Sequence, residues 1–320
     1  MWRSFRSRHA LTKRQDRTAQ IKPDDILVFV CLRNEMNRLP WFFRHYREMG
    51  ATHFLVVDND STDGSAEFLS NQNDVSLWST SASYRDSRFG LDWTSWLLMR
   101  YGRGHWCLTV DADELLVYAH MGQRSLRDLT HWLEKNGHSA LGALMLDLYP
   151  HGTLGEPARP IDDDPLTYLQ GFDAGPYRIE RQAPLRNLWV QGGPRDRTFF
   201  ANSPDDAPTL NKLPLVRWNR RFAYVNSTHS MLPSRLNLAY DGPGGQTPSA
   251  VLLHTKFLPD VVSRSEEDLT RQQHFHTPHN FAAYYNSIQS KPTLWHDDSQ
   301  TYQGWQQLAD MGLLNPGGFV

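Results

Sequence analysis

The chain has 320 residues, 39% of them apolar and 12% aromatic, with 11 tryptophans, which is enough to bury a large core. A net charge of −2 argues against generic binding of nucleic acid, and no run reaches the ~18 apolar residues of a spanning helix. No apolar leader is visible at the N-terminus, and Cys31 and Cys107 both fall in apolar runs. The expectation is a cytoplasmic protein with reduced thiols, one whose contact with the inner membrane face would at most be peripheral.

Residues 1–22 form a predicted basic tail. Arg3, Arg6, Arg8, Lys13, Arg14 and Arg17 face one acid, Asp16, with Trp2, Phe5 and Leu11 interleaved. The plainer expectation is a solvated, frayed segment; the sharper one is a weak, reversible tether to an anionic membrane face. From residue 26 to about 148, strands and helices alternate. The runs 26–30, 54–57, 75–78 and 106–110 are continuous and apolar. Between them, Pro40 opens a helix carrying Trp41, Phe42, His45, Tyr46 and Met49, and Gly50 closes it. Asp63 or Ser61 is placed to cap a short helix with Ala66, Phe68 and Leu69. Trp93, Trp96, Leu97, Met99 and Arg100 continue a helix to Gly102. Such a pattern predicts an α/β fold with a mostly parallel, twisted sheet covered by helices on both faces.

The later sequence has a weaker pattern. Residues 150–215 are rich in Pro, Gly, Asp and Arg and read as long loops. Residues 251–253 make a short strand, and 265–274 a helix capped by Ser265. With no repeat and no linker, 23–150 and 151–320 are expected to be two halves of one domain, the second a loop-rich extension. His274, His276 and His279 have neither cysteine partners nor the spacing of a zinc helix, and are expected on a surface loop.

Three strand ends carry polar residues. The segments are 31–35 (CLRNE), 58–65 (DNDSTDGS) and 111–114 (DADE). Ligands bind outside the carboxyl ends of strands in such sheets. Asp111 and Asp113 cannot both be buried without partners. A divalent cation bridging to an anionic ligand satisfies them, which points to a phosphorylated substrate. The lack of a Gly-rich loop after the first strand argues against a dinucleotide fingerprint, a P-loop or a nucleotidyltransferase.

The segments VCLRNEMNRLPWFFRHYREMG, FLVVDNDSTDGS and LTVDADELL, in that order, resemble the family-two glycosyltransferases of the GT-A fold. A thinner likeness runs on through GGPRDR, NKLPLVRW, THS and LLHTKF, similar to a bacterial subgroup. The resemblance implies a Rossmann-like GT-A domain, a nucleotide-sugar donor linked to UDP, Mn²⁺ or Mg²⁺, and a glycan or lipid-linked acceptor in cell-envelope or capsular polysaccharide synthesis. Laid on this sequence, Leu32, Arg33 and Glu35 would line the base and ribose, and Asp58 would contact the nucleoside, with Asn59 and Ser61 supporting the turn. Asp111 would reach the ribose or the metal and Asp113 would coordinate the metal. His254 would complete the metal shell, with His229 as a rival, and Lys256 would grip the diphosphate. For Asp63 the turn-and-cap role is preferred.

Gly192 to Arg197 offer a second anion site, with Arg195 and Arg197 directed to one face and Lys212 and Arg217 as further cations nearby; the plainer alternative is a solvated loop with ion pairs to Asp196 or Asp205. An inverting transfer needs a carboxylate base. Asp147, ending the apolar run 141–146, is the first candidate, with Asp196 and Glu114 in reserve; Glu114 could instead pair with a cation beneath the site. Trp189, Tyr177, Trp218, Tyr224, Tyr284, Tyr285 and Trp295 could stack on sugars, though many would be core. Two other classes stay open. One is a haloacid-dehalogenase-type phosphatase or phosphotransferase with Asp111 as nucleophile, although Leu115 stands where Thr or Val is usual. The other is a non-catalytic nucleotide- or glycan-binding module.

Overall fold

The basic N-terminal segment is ordered, contrary to the frayed tail expected. The computed structural model describes residues 1–156, 164–271 and 278–320, and in it helix α1 (Trp2–Ser7) leads into strand β1 (Thr12–Gln15). β1 adds antiparallel to the edge of the main sheet at residues Leu77 to Ser79. Its cations did not prevent this, because an edge strand leaves their side chains in water.

The alternating half follows the sequence pattern closely. β2 (Ile26–Leu32), α2 (Leu39–Glu48), β3 (His53–Asp58), α3 (Ser65–Ser70), β4 (Val75–Ser79), α4 (Leu91–Tyr101) and β5 (Trp106–Thr109) come in turn. β6 (Glu114–Val117), α5 (Leu126–Lys135) and β7 (Ala140–Asp147) complete it. Continuous apolar runs predict strands buried on both faces, and every residue of β3 and β7 is buried. α2 buries Leu39, Phe42, Phe43 and Tyr46 on one face, starts with Pro40 in its first turn, and ends before the left-handed Gly50 (φ +98°). α5 begins with a reciprocal capping box between Ser125 and Asp128.

The sheet has nine strands, in the order β1-β4-β3-β2-β5, then Asn211–Arg217, β7, Ser249–His254 and β6. Six of them run in one direction; β1, Asn211–Arg217 and β6 run against them. The sheet is therefore mixed, with a mainly parallel body, and both halves of the chain contribute to it.

The stretch read as loop from 150 to 215 holds more structure than expected. Tyr177–Arg181 and Leu188–Gly192 form an antiparallel hairpin. Asn211–Arg217 is a central strand between β5 and β7. Pro214 hid it, since proline is excluded from regular central ladders; here the register shifts between Lys212 and Leu215 and makes room for it. The later helix spans Val261–Arg271, so Ser265 is interior, where its hydroxyl donates to the Val261 carbonyl at 2.6 Å instead of capping. His274 and His276 lie outside the described residues, and His279 falls in the helix Pro278–Gln289 rather than a loop. Among the described residues no helix is long and apolar enough to cross a membrane, and both cysteines are free thiols.

Gly90 sets the start of α4. It has φ +75°, and a Cβ there would lie 2.7 Å from Cys31 Sγ and 3.1 Å from the Tyr84 ring. Gly90→Ala combines a left-handed backbone with overpacking, so about 1–3 kcal/mol of stability should be lost. Urea unfolding checks this; an unchanged midpoint would refute it.

Candidate functional site

The aligned strands bring their carboxyl ends to one edge of the sheet, and a crevice of about 380 Å³ opens there. Leu32, Asn59, Asp111, Asp113 and His254 line it. The reversed strand Asn211–Arg217 starts at this edge, which brings Lys212 to the same place.

One wall is locked by the two loops following β2 and β3. The backbone N–H groups of Asn34, Glu35 and Met36 donate to Ser61 Oγ, Ser65 Oγ and Asp63 Oδ2 at 2.9, 3.0 and 2.9 Å. Asp63 also accepts from the Ser65 N–H at 3.0 Å, in keeping with its turn-and-cap role. Asn59 Nδ2 donates to the carbonyls of Thr80 and Ala82, so Asn59 holds the turn as expected. Asp58 is 3% exposed and is not on the crevice wall; its Oδ2 accepts weakly from Ser61, and its Oδ1 is buried without a partner. Asn34, Phe89 and Ser227, all on the wall, have left-handed φ angles of 52°, 58° and 45°. Such conformations persist only where the surrounding structure enforces them.

At the floor, the turn between β5 and β6 presents the acids. Asp111 is open, with its side chain 55% exposed, while Glu114 is buried beneath it. Glu114 accepts the Asp111 backbone N–H at 3.0 Å and pairs with Lys212 at 2.9 Å; Lys212 also reaches Asp111 at 3.2 Å. Burial raises the Glu114 carboxyl above its ordinary range, with Asp111 and Asp113 adding to this and Lys212 opposing it. Burial would lower Lys212, but Glu114 and Asp111 hold its charge in place and raise it. Glu114 thus takes the place foreseen for it, paired with a cation under the site, and is not available as a base.

Beside this floor runs a relay of charges. The strand Ser249–His254 lies between β7 and β6, and its register sets His254 opposite both Asp147 and Glu114. His254 Nε2 meets Asp113 Oδ2 at 3.1 Å, and Nδ1 meets Asp147 Oδ1 at 2.5 Å. Arg195 Nε holds Asp147 Oδ2 at 2.7 Å. Burial disfavours each charge, and the partners reverse it. Asp113 is held well below the carboxylate range by His254, Arg38 and Lys256. Asp147 is lowered by Arg195 and His254, and His254 is raised by Asp113 and Asp147.

This geometry corrects the two leading candidates for the base. The Asp147 side chain is fully buried behind His254, with both oxygens engaged. Asp196 is held by Arg178 at 2.7 and 3.0 Å and is not on the wall. Arg195 and Arg197 also diverge: Arg195 lines the crevice, whereas Arg197 turns to Asp173 at 2.7 Å. Of the two histidines, His254 is the one facing Asp113. His229 also lines the crevice, with Nδ1 on the Asn211 carbonyl at 2.6 Å; burial and Lys212 push it down to about 3, so it is neutral. Lys256 is on the wall. Among the suggested stacking aromatics, Trp218, Tyr224, Tyr284 and Tyr285 are buried, and only Tyr285 of the seven lines the crevice.

Sequence reasoning missed a cluster at the mouth. Arg38, 4% exposed, pairs with Glu35 at 3.0 Å and Asp260 at 3.3 Å, and donates to the Thr255 carbonyl. Arg264 also pairs with Glu35 and reaches Asp260 at 3.5 Å, while Arg33 Nε lies 3.7 Å from Glu267. Residues 222 positions apart meet here, so no local pattern could have signalled it. Among the described residues, no three His, Cys, Asp or Glu side chains form a metal cage by themselves. No family model matches the chain, and no curated protein matches it.

Proposed function

We propose that the chain is a metal-dependent glycosyltransferase that moves a sugar from a nucleotide-sugar donor, UDP-linked by the resemblance, to a glycan or lipid-linked acceptor of cell-envelope or capsular polysaccharide. The observation that carries this reading is the pairing of Asp113 with His254 on the crevice wall, backed by Asp147 and Arg195. A carboxylate on the far nitrogen of a histidine is the arrangement that orients a metal-ligating imidazole.

Carboxylate and imidazole donors are of the kind that Mn²⁺ or Mg²⁺ takes, although they form no closed cage by themselves. Asp113 and His254 would hold the ion, and Asp111 adds oxygen donors from the same turn. Few protein ligands suit an ion that takes the rest of its shell from water and substrate phosphates. When bound, the ion would neutralise charge on the leaving diphosphate. The chain's own cations serve the same end. Arg195 is held through Nε by Asp147, yet its buried Nη2 has no hydrogen-bond partner, so it can take a phosphate oxygen. Lys212, Lys256 and Arg264 also line the crevice. Leu32, Arg33 and Glu35 form the side suited to the nucleoside. Asp147 acts here through His254, as a positioning residue.

One observation favours a second reading. Asp111 is the exposed carboxylate and has a lysine at 3.2 Å, an arrangement that phosphoryl transfer to Asp111 would also use. A thermal-shift screen of nucleotide sugars, with Mn²⁺ and with EDTA, separates the two. A ligand at 100 times its Kd adds about 2.7 kcal/mol of stability. Stabilisation by one nucleotide class, only with metal, is the expected result. Stabilisation by Mg²⁺ with beryllofluoride, and by no nucleotide sugar, would replace the transferase with the phosphoryl-transfer reading.

A further inference from the structure

We infer that the face built by α1 docks on the surface of an anionic lipid bilayer. Trp2 is 72% exposed, Met1 50% and Phe5 42%, three exposed large apolar side chains within five residues. The helix cannot turn these rings inward. Ser4, 1% exposed, donates to buried Asp92 at 3.2 Å, and Arg3 pairs with Asp92 at 2.7 Å. Phe5 meets Trp96 of α4 edge-on at 5.6 Å. The outward surface is therefore fixed by its inner contacts.

Cations frame the exposed rings. Arg6 lies over Trp2 at 4.7 Å and Arg8 over Phe5 at 3.6 Å. The single acid of residues 1–22, Asp16, is engaged by Lys13 and Thr18. Indole rings beside guanidinium groups suit the headgroup region of a negatively charged leaflet: the rings enter the boundary and the cations meet the phosphates. Bulk net charge of −2 argues against a general affinity for polyanions, so the complementarity is local. The helix is also tied to the segment between β4 and α4. Arg3 donates to the Asp86 carbonyl, in the segment that carries Tyr84 and Phe89 onto the wall.

The test is co-sedimentation of the full chain with vesicles of phosphatidylcholine alone, and with about 30% phosphatidylglycerol added, at low salt. Binding is expected only to the anionic vesicles and should fall at high salt. Trp2→Glu, and Arg6→Glu with Arg8→Glu, should each weaken it at least about fivefold, the value of roughly one basic residue near the surface. Phe5 is left intact because it packs on Trp96. An unchanged melting temperature verifies the fold of each variant, and an unchanged metal-dependent donor shift separates this proposal from the reading of the crevice. No binding to anionic vesicles, equal binding to neutral ones, or parent-like binding by the variants would overturn it. So would retention of a single-stranded nucleic acid in place of vesicles.

Discussion

Asp113→Ala is expected to abolish sugar transfer and to remove the metal-dependent part of donor stabilisation, while the fold survives. The carboxylate is 23% exposed and faces the crevice, whereas the Asp113 backbone carbonyl, which accepts from Thr255 N–H at 2.7 Å and Thr255 Oγ1 at 3.0 Å, is untouched. His254 keeps its bond to Asp147, so no buried charge is stranded. On the proposed reading, losing the ion's anchor would remove several kcal/mol of leaving-group stabilisation, a fall of about 10³-fold or more in kcat/KM. Turnover retained by the purified variant would sink the reading. Asp147→Asn supplies the contrast. Acting through His254, it should weaken metal binding about 10–100-fold and leave the pH profile of kcat in place. A loss of kcat with unchanged metal affinity would return Asp147 to the role of base.

Lys212→Met is expected to destabilise the fold by about 3–5 kcal/mol, the usual loss when one partner of a buried ion pair is removed. Lys212 and Glu114 are 5% and 1% exposed and 2.9 Å apart, and Glu114 has no other cation among its named partners. The second variant, Lys212→Met with Glu114→Leu, should recover much of the loss, because no charge is then left buried. Urea unfolding of both variants gives the comparison. Equal losses in the single and double variants would mean that packing of the strand, not the ion pair, sets the stability. Lys212 stands in a central strand and lines the crevice, a place that suits a cation meeting an anionic ligand.

The alternating half was legible because its strands are buried on both faces. That burial demands continuous apolar runs, as in 54–57 and 106–110, and the residues just beyond them include Asn59 and Asp111, which line the crevice. The same local logic marked Pro40, Gly50 and the cap at Asp63. It failed at Asn211–Arg217, because Lys212 is compatible with a core strand only when Glu114 lies beneath it, and Pro214 only when the register shifts. The N-terminal strand was missed for a related reason: an edge strand with its side chains in water carries no apolar signature.

Sequence alone determined the parallel body of the sheet and the placing of Asp111, Asp113 and His254 at strand ends, since both follow from periodicity along the chain. Only the tertiary structure decided what those residues do to one another. It set Asp147 behind His254 instead of in the crevice, turned Arg197 away from Arg195, and brought Arg38, Asp260 and Arg264 together at the mouth. These are relations fixed by strand register and by contacts across more than a hundred residues, and hydrophobic periodicity carries no information about which charge will face which.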